Sequence, residues 1–252
     1  MNMNVQEKLL KDPTNPALYR EVGKELVEQD RAEEAVDVFS RGLAFAPLDY
    51  EMHFWRGRKY ISTERYPEAA ADFQLCAAMR PDDWECWYYL GVSSYLSGLY
   101  PVAKLAHEHA RELMLKNDIK AIPATCDWYW MICMKMGLKD EAQAVLDYVT
   151  PGMEAEDGDY LDRCLLYKGY YKPETFLQDR AEACKASDRP SIYDKMLRYG
   201  LANYLHYQGR DEESIPLLKG VAESTEDRFL FAVKEAMQDL DALGVEYTVP
   251  QV

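Results

Sequence analysis

Pro13, Pro47 and Pro81 stand 34 residues apart, and the first half of the chain keeps that step elsewhere. Gly23, Gly57 and Gly91 repeat it, as do Ala35, Ala69 and Ala103. Phe39 and Phe73 share it with His107, and Tyr19 and His53 share it with Trp87. Self-similarity at this period leaves few options. It marks a stack of helix-turn-helix units, each too small to bury its apolar face alone. Such stacks bind partners along an extended surface and seldom carry out chemistry themselves.

The unit from Pro16 to Asp49 shows why the period is a helical hairpin. Asn15 followed by Pro16 predicts a helix start, a side-chain cap and then a residue whose fixed φ suits the first turn. Tyr19, Val22, Gly23 and Leu26 fall at i, i+3, i+4 and i+7, one face of a helix. A break at Gln29, Asp30 and Arg31 leads to a second helix with Ala35, Val38, Phe39 and Leu43 on one side, closed by Pro47. Glycine inside a helix costs about 1 kcal/mol against alanine, so Gly23 needs a reason. Close approach of the two helices supplies it, with Ala35 small and Phe39 filling the wedge.

Units 50–83 and 84–117 repeat the plan, the third through Trp87, Leu90, Gly91, Gly98, Tyr100, Ala103 and Ala110. These residues resemble the tetratricopeptide repeat family: Trp-x-x-Leu-Gly in the first helix, a small residue early in the second, an aromatic four later, and proline at the end. Arg56 departs from the family's usual leucine, His107 from the aromatic and Leu115 from the proline. The resemblance implies an all-α fold, a right-handed α-solenoid of antiparallel helix pairs.

Past residue 117 the step loosens. Gly98, Gly137, Gly169 and Gly209 are spaced by 39, 32 and 40 residues. The sequence therefore predicts one solenoid domain over 1–252: a partial N-terminal helix in 1–15, with Leu9 and Leu10 as its remnant, and three regular repeats in 16–117. Two irregular repeats follow in 118–186 after an insertion around 116–122, then a sixth repeat in 187–226, and a capping helix and loose tail in 227–252. Leu165 to Gly169 and Tyr199 to Tyr204 look like segments of uncharacterised bacterial tetratricopeptide proteins.

Composition narrows the partners. A formal charge of −15 argues against nucleic acid and anionic membranes and favours a basic or apolar partner. Six cysteines lack a CxxC pair and read as buried free thiols in a reducing compartment. Without an apolar leader or an 18-residue apolar run, a cytoplasmic location is expected.

In tetratricopeptide proteins the first helices line the concave face. That places Arg20 and Lys24 in the groove from unit one, with Glu21 and Glu28. Unit two adds Phe54, Trp55 and Arg58, unit three Glu85, Tyr88, Tyr89 and Tyr95, and unit four Trp128 beside Asp127, Met131 and Lys135. Six large aromatics on one wall suit an extended peptide, since aromatics and arginine dominate binding hot spots. The competing reading is that they pack against neighbouring repeats.

Specific chemistries fare worse. A clamp for acidic chaperone tails needs amide and cationic groups where Trp55, Glu85 and Tyr89 stand, so that reading fails. His107 and His109 point about 200° apart on a helix, which argues against a metal site. Cys126 and Cys133, seven residues apart on a helix, lie roughly 10 Å apart, too far for a disulfide. Glu154, Glu156, Asp157, Asp159 and Asp162 lack calcium-loop spacing and are expected to form a solvated loop. No phosphate loop, nucleophile elbow or catalytic carboxylate pair stands at motif spacing. The expectation is a scaffold with no cofactor that binds a protein or peptide. The alternative is self-association into a homodimer, and an enzyme or small-molecule sensor comes third.

Overall fold

A computed structural model describes residues 9–224 and 230–249, and all regular secondary structure among them is helical. The fold is all-α, built from antiparallel helix pairs, and it divides into two compact units, Met1–Asn117 and Asp118–Val252.

The first unit contains α1 (Pro16–Glu28), α2 (Ala32–Leu43), α3 (Tyr50–Ser62), α4 (Tyr66–Met79), α5 (Trp84–Leu96) and α6 (Tyr100–Lys116). Each odd-numbered helix starts on a side-chain cap. Asn15 accepts from the Ala17 amide at 3.1 Å, Asp49 from Met52 at 3.0 Å and Asp83 from Glu85 at 3.1 Å. Each of these helices ends on a left-handed residue in the same register: Asp30, Glu64 and Gly98, with φ of 56°, 61° and 73°. The next amide then returns to a carbonyl of the last turn, as Arg31 N–H does to Leu26 at 2.9 Å and Leu99 N–H to Ser94 at 2.8 Å. This turn reverses the chain without a long loop.

Helix pairs close on the small residues. A methyl group added at Gly23 would lie 2.2 Å from Phe39 Cε1, and one at Gly91 would lie 2.5 Å from the His107 ring. Phe39 and Phe73 are fully buried, and Leu9 joins the core around Leu26 and Phe39. We expect Gly23→Ala to destabilise the first unit by about 1–3 kcal/mol, because overpacking outweighs the alanine propensity gain of about 1 kcal/mol. Adding Phe39→Leu should recover part of the loss. A single variant as stable as the wild type in urea denaturation would refute the close-packing account.

The second unit contains α7 (Ile122–Lys135), α8 (Lys139–Val145) with a 3-10 turn at Leu146–Tyr148, α9 (Gly158–Tyr167), α10 (Phe176–Asp179), α11 (Ala181–Ala186), α12 (Pro190–Tyr207), α13 (Asp211–Ala222) and α14 (Phe231–Ala242). Gly137, Gly169 and Gly209 hold the left-handed turns, with φ of 73°, 81° and 75°. The fifth pair departs from the expected hairpin, since its second helix is broken into the short α10 and α11. Of the expected capping helix, Arg228 lies outside the described residues, and α14 starts at Phe231. The tail from Val245 to Val249 is non-helical, and the Thr248 amide donates to Glu223 at 2.9 Å.

The acidic run is a correction. Glu154 and Glu156 are exposed, but Asp159 and Asp162 lie buried in α9. Asp162 accepts from Tyr193 at 2.6 Å and Arg180 at 2.8 Å, so it is a structural acceptor and not part of a solvated loop.

Candidate functional site

The first-helix face of the first unit is built on α3 and α5. The helical register places Trp55 and Arg58 one turn apart on α3, and α5 brings Tyr88 and Tyr89 alongside. The Arg58 guanidinium carbon sits 5.0 Å from the Tyr89 ring centroid and 5.6 Å from that of Trp55. Both distances are within cation–π range. Tyr89 stacks on Phe73 at 5.3 Å and meets the edge of Tyr88 at 5.4 Å. Phe54 lies beneath, edge-on to Phe73 at 5.9 Å and to Tyr89 at 6.1 Å. Trp55, Arg58, Tyr88 and Tyr89 all remain partly exposed.

The other residues expected in the groove of the first unit differ in exposure and pairing. Phe54 and Tyr95 are buried, at 8% and 3% exposure, and serve as floor and core. Arg20 pairs with Asp49 at 2.7 Å and Lys24 with Glu51 at 2.5 Å, so both cations tie α1 to α3. The Lys24 ammonium holds the Glu51 carboxyl below its usual range, against a smaller opposing effect of burial. Glu85 lies in the first turn of α5 and is half-buried.

In the second unit the corresponding face of α7 is closed. Trp128 is 1% exposed and packs edge-on against Phe231 of α14 at 5.6 Å. The helical register placed Trp128 correctly on its helix, but α14 covers that face, so it is not a groove residue. Asp127 and Met131 are buried with it.

Beneath this cover lies a charged cluster that no sequence pattern signalled. Arg163 on α9 meets Asp127 at 2.9 Å, and both are almost wholly buried. Glu235 on α14 is buried too, and neither of its carboxylate oxygens has a hydrogen-bond partner among the described residues. Burial pushes Glu235 up to about 8, only partly offset by Arg163, and pushes Asp127 up to about 7 in the same way. Asp159 rises to about 6, again chiefly through burial. Beside the cluster, Asp239 accepts from Tyr199 at 2.9 Å and pairs with Lys135.

Among the described residues, no three His, Cys, Asp or Glu side chains are placed to hold a metal ion. His107 fills the buried aromatic slot, where burial and then the Arg111 charge push it down to about 3, leaving a neutral imidazole. His109 faces outward, and its ring meets that of Trp87 at a tilt of 46° with centroids 4.5 Å apart. The six cysteines are free thiols. Among the described residues no helix is long and apolar enough to cross a membrane.

Comparison with known proteins agrees with the fold. The tetratricopeptide repeat family model matches residues 22–83, so this segment, which runs from α1 to the start of α5, carries tetratricopeptide repeats. No curated protein matches the chain. Among solved structures, a tetratricopeptide repeat protein from Parabacteroides merdae is 16% identical with a TM-score of 0.60, covering 92% of this chain and 90% of its own. YrrB, a tetratricopeptide protein with an unusual peptide-binding site, is 14% identical with a TM-score of 0.50, covering 95% and 98%. The MamA protein is 12% identical with the same TM-score, covering 93% and 98%. At these identities the likeness shows the fold.

Proposed function

We propose that this chain is a protein-interaction scaffold, and that an extended segment of a partner lies across the first-helix face of its first unit. The observation that carries the reading is the half-exposed set of Trp55, Arg58, Tyr88 and Tyr89. Arg58 is held over two rings, so side chains that usually dominate recognition are ordered before any partner arrives. Ring faces and a guanidinium favour prolines, aliphatic anchors and backbone carbonyls in the partner. One structural neighbour has a peptide-binding site, which is the ligand class proposed here. The fold itself is of a scaffold kind.

The test is affinity capture from the native cell lysate with wild type, Trp55→Ala and Tyr88→Ala in parallel. Partners retained by wild type and lost from both variants would support the reading. Truncating a hot-spot aromatic costs about 2 kcal/mol or more, a loss of roughly thirtyfold in affinity, ample to clear a capture experiment. A partner set identical across the three proteins would overturn it.

A further inference from the structure

The 34-residue register exposes one place where successive repeats of the first unit differ. Where α2, α3 and α4 meet, a polar network seals the outer face. Buried Asp72 accepts from Arg56 at 2.8 and 2.7 Å and faces the His53 ring at 2.7 Å, while Arg56 also reaches Ser40 at 3.0 Å. One step later Leu90 stands where Arg56 was and Ala106 where Asp72 was. Val102 takes the place of Glu68, and Leu105 that of Ala71. The network is gone, and an apolar cavity of about 640 Å³ opens between α4, α5 and α6. Trp87 and Leu90 line it together with Ala78, Val102 and Leu105. Leu105 is 59% exposed and Val102 42%, which is costly to leave in water unless something covers them.

We propose that this cavity on the second-helix face is a docking site for a basic segment of a partner protein, which inserts aliphatic side chains between α4 and α6. The volume lies within the range of about 300–1,000 Å³ typical of binding clefts. Charge selects the occupant. The chain carries 44 acidic against 29 basic side chains, so a second copy meets repulsion and a basic segment meets attraction. Exposed Asp82 follows the lining Pro81, and exposed Glu112 lies beside His109, whose ring contacts Trp87 at a tilt. Both carboxylates are exposed, Glu112 with a 4.0 Å contact to His109, and can meet lysine or arginine flanking the inserted side chains.

A phage-displayed library of random 12-residue peptides selected on the full chain tests this. Selected peptides are then synthesised and titrated by fluorescence anisotropy against wild type, Ala78→Phe, Leu105→Ser and Trp55→Ala. Ala78→Phe fills the cavity and Leu105→Ser removes an apolar wall. Both positions are exposed, so circular dichroism should stay unchanged. The expected result is enrichment of paired aliphatic residues flanked by Lys or Arg. Binding should weaken at least tenfold in the two cavity variants, stay within twofold in Trp55→Ala, and fall as salt rises. Peptides that bind all cavity variants equally, or an absence of enrichment, would overturn the proposal. So would mass doubling in light scattering that Leu105→Ser abolishes, because the cavity would then join two copies. Peptides lost only in Trp55→Ala would support the first-helix reading and overturn this one.

Discussion

Arg163→Met should destabilise the second unit by about 3–5 kcal/mol, the usual cost of removing one partner from a buried ion pair. The guanidinium is 1% exposed and is the charge within reach of Asp127, Asp159 and Glu235 together. Without it three carboxyls share one buried site, and each must either stay protonated or face its neighbours unscreened. Packing adds to the cost. The arginine stem presses on α12 so closely that a methyl group at Gly200 would lie 2.5 Å from Arg163 Cγ. Methionine keeps much of that stem, so the loss reports charge more than volume. Thermal unfolding followed by circular dichroism should show the transition lowered by about 10 °C at neutral pH. Adding Asp127→Asn, which removes the ion-pair partner left behind, should recover most of the loss. A drop below about 1 kcal/mol would mean the buried pair is not what holds α7, α9 and α14 together.

What the sequence made legible follows from what repeats. Gly23 facing Phe39, and Gly57 facing Phe73, are one packing solution written twice, and the register alone exposes it. The turns at Asp30, Glu64 and Gly98 belong to the same solution, although two of them lack the glycine that would advertise a left-handed residue. Arg163 and Glu235 could not be found this way. They are distant in sequence, each occurs once, and an arginine or glutamate on a helix is by default read as solvated. Burial of such a pair depends on tertiary neighbours that no local period encodes.

The candidate site divides along the same line. Helical register identified the face on which Trp55, Tyr89 and Trp128 lie, because periodicity fixes direction around a helix axis. It says nothing about what then packs on that face. In the first unit Trp55 and Tyr89 stay half-exposed with Arg58 over their rings. In the second, Phe231 arrives from α14 and seals Trp128. Arg20 and Lys24, expected in the groove by repeat position, pair with Asp49 and Glu51 one helix on, a pairing that repeat position alone does not reveal. The outer cavity emerged from the register only by subtraction, where Leu90 and Ala106 interrupt the charges that Arg56 and Asp72 set up.

The second unit should lose stability as pH rises from about 4.5 to 8, opposite to the usual behaviour of a carboxylate held in a salt bridge. Glu235 is protonated in the folded chain up to about pH 8, since burial disfavours its charged form. Unfolded, it ionises near its ordinary value of about 4.3. Across that window the folded state binds the extra proton, so each step up in pH favours the unfolded state. The groups facing Glu235 set the size of the effect: Arg163 pulls its pKa down, Asp127 and Asp239 push it up, and Lys135 pulls it down. A shift of this size corresponds to a few kcal/mol, on the order of 1.4 kcal/mol per unit. Asp127 adds in the same direction up to about pH 7. His53 in the first unit shares the sign, because its bonds to Asp72 and to the Pro47 carbonyl raise it despite burial. Its contribution is present below about 6.5 and is lost as pH rises through the folded value. The two are separated by substitution. Glu235→Gln keeps the shape of the protonated acid and should flatten the profile of the second unit while raising its stability at pH 8, whereas His53→Gln should leave that profile unchanged. Urea denaturation at pH 5, 6.5 and 8 measures all three proteins. Equal stability of the wild-type second unit at pH 5 and 8 would show that Glu235 is charged in the folded chain, and that α14 is held over Trp128 without a buried proton.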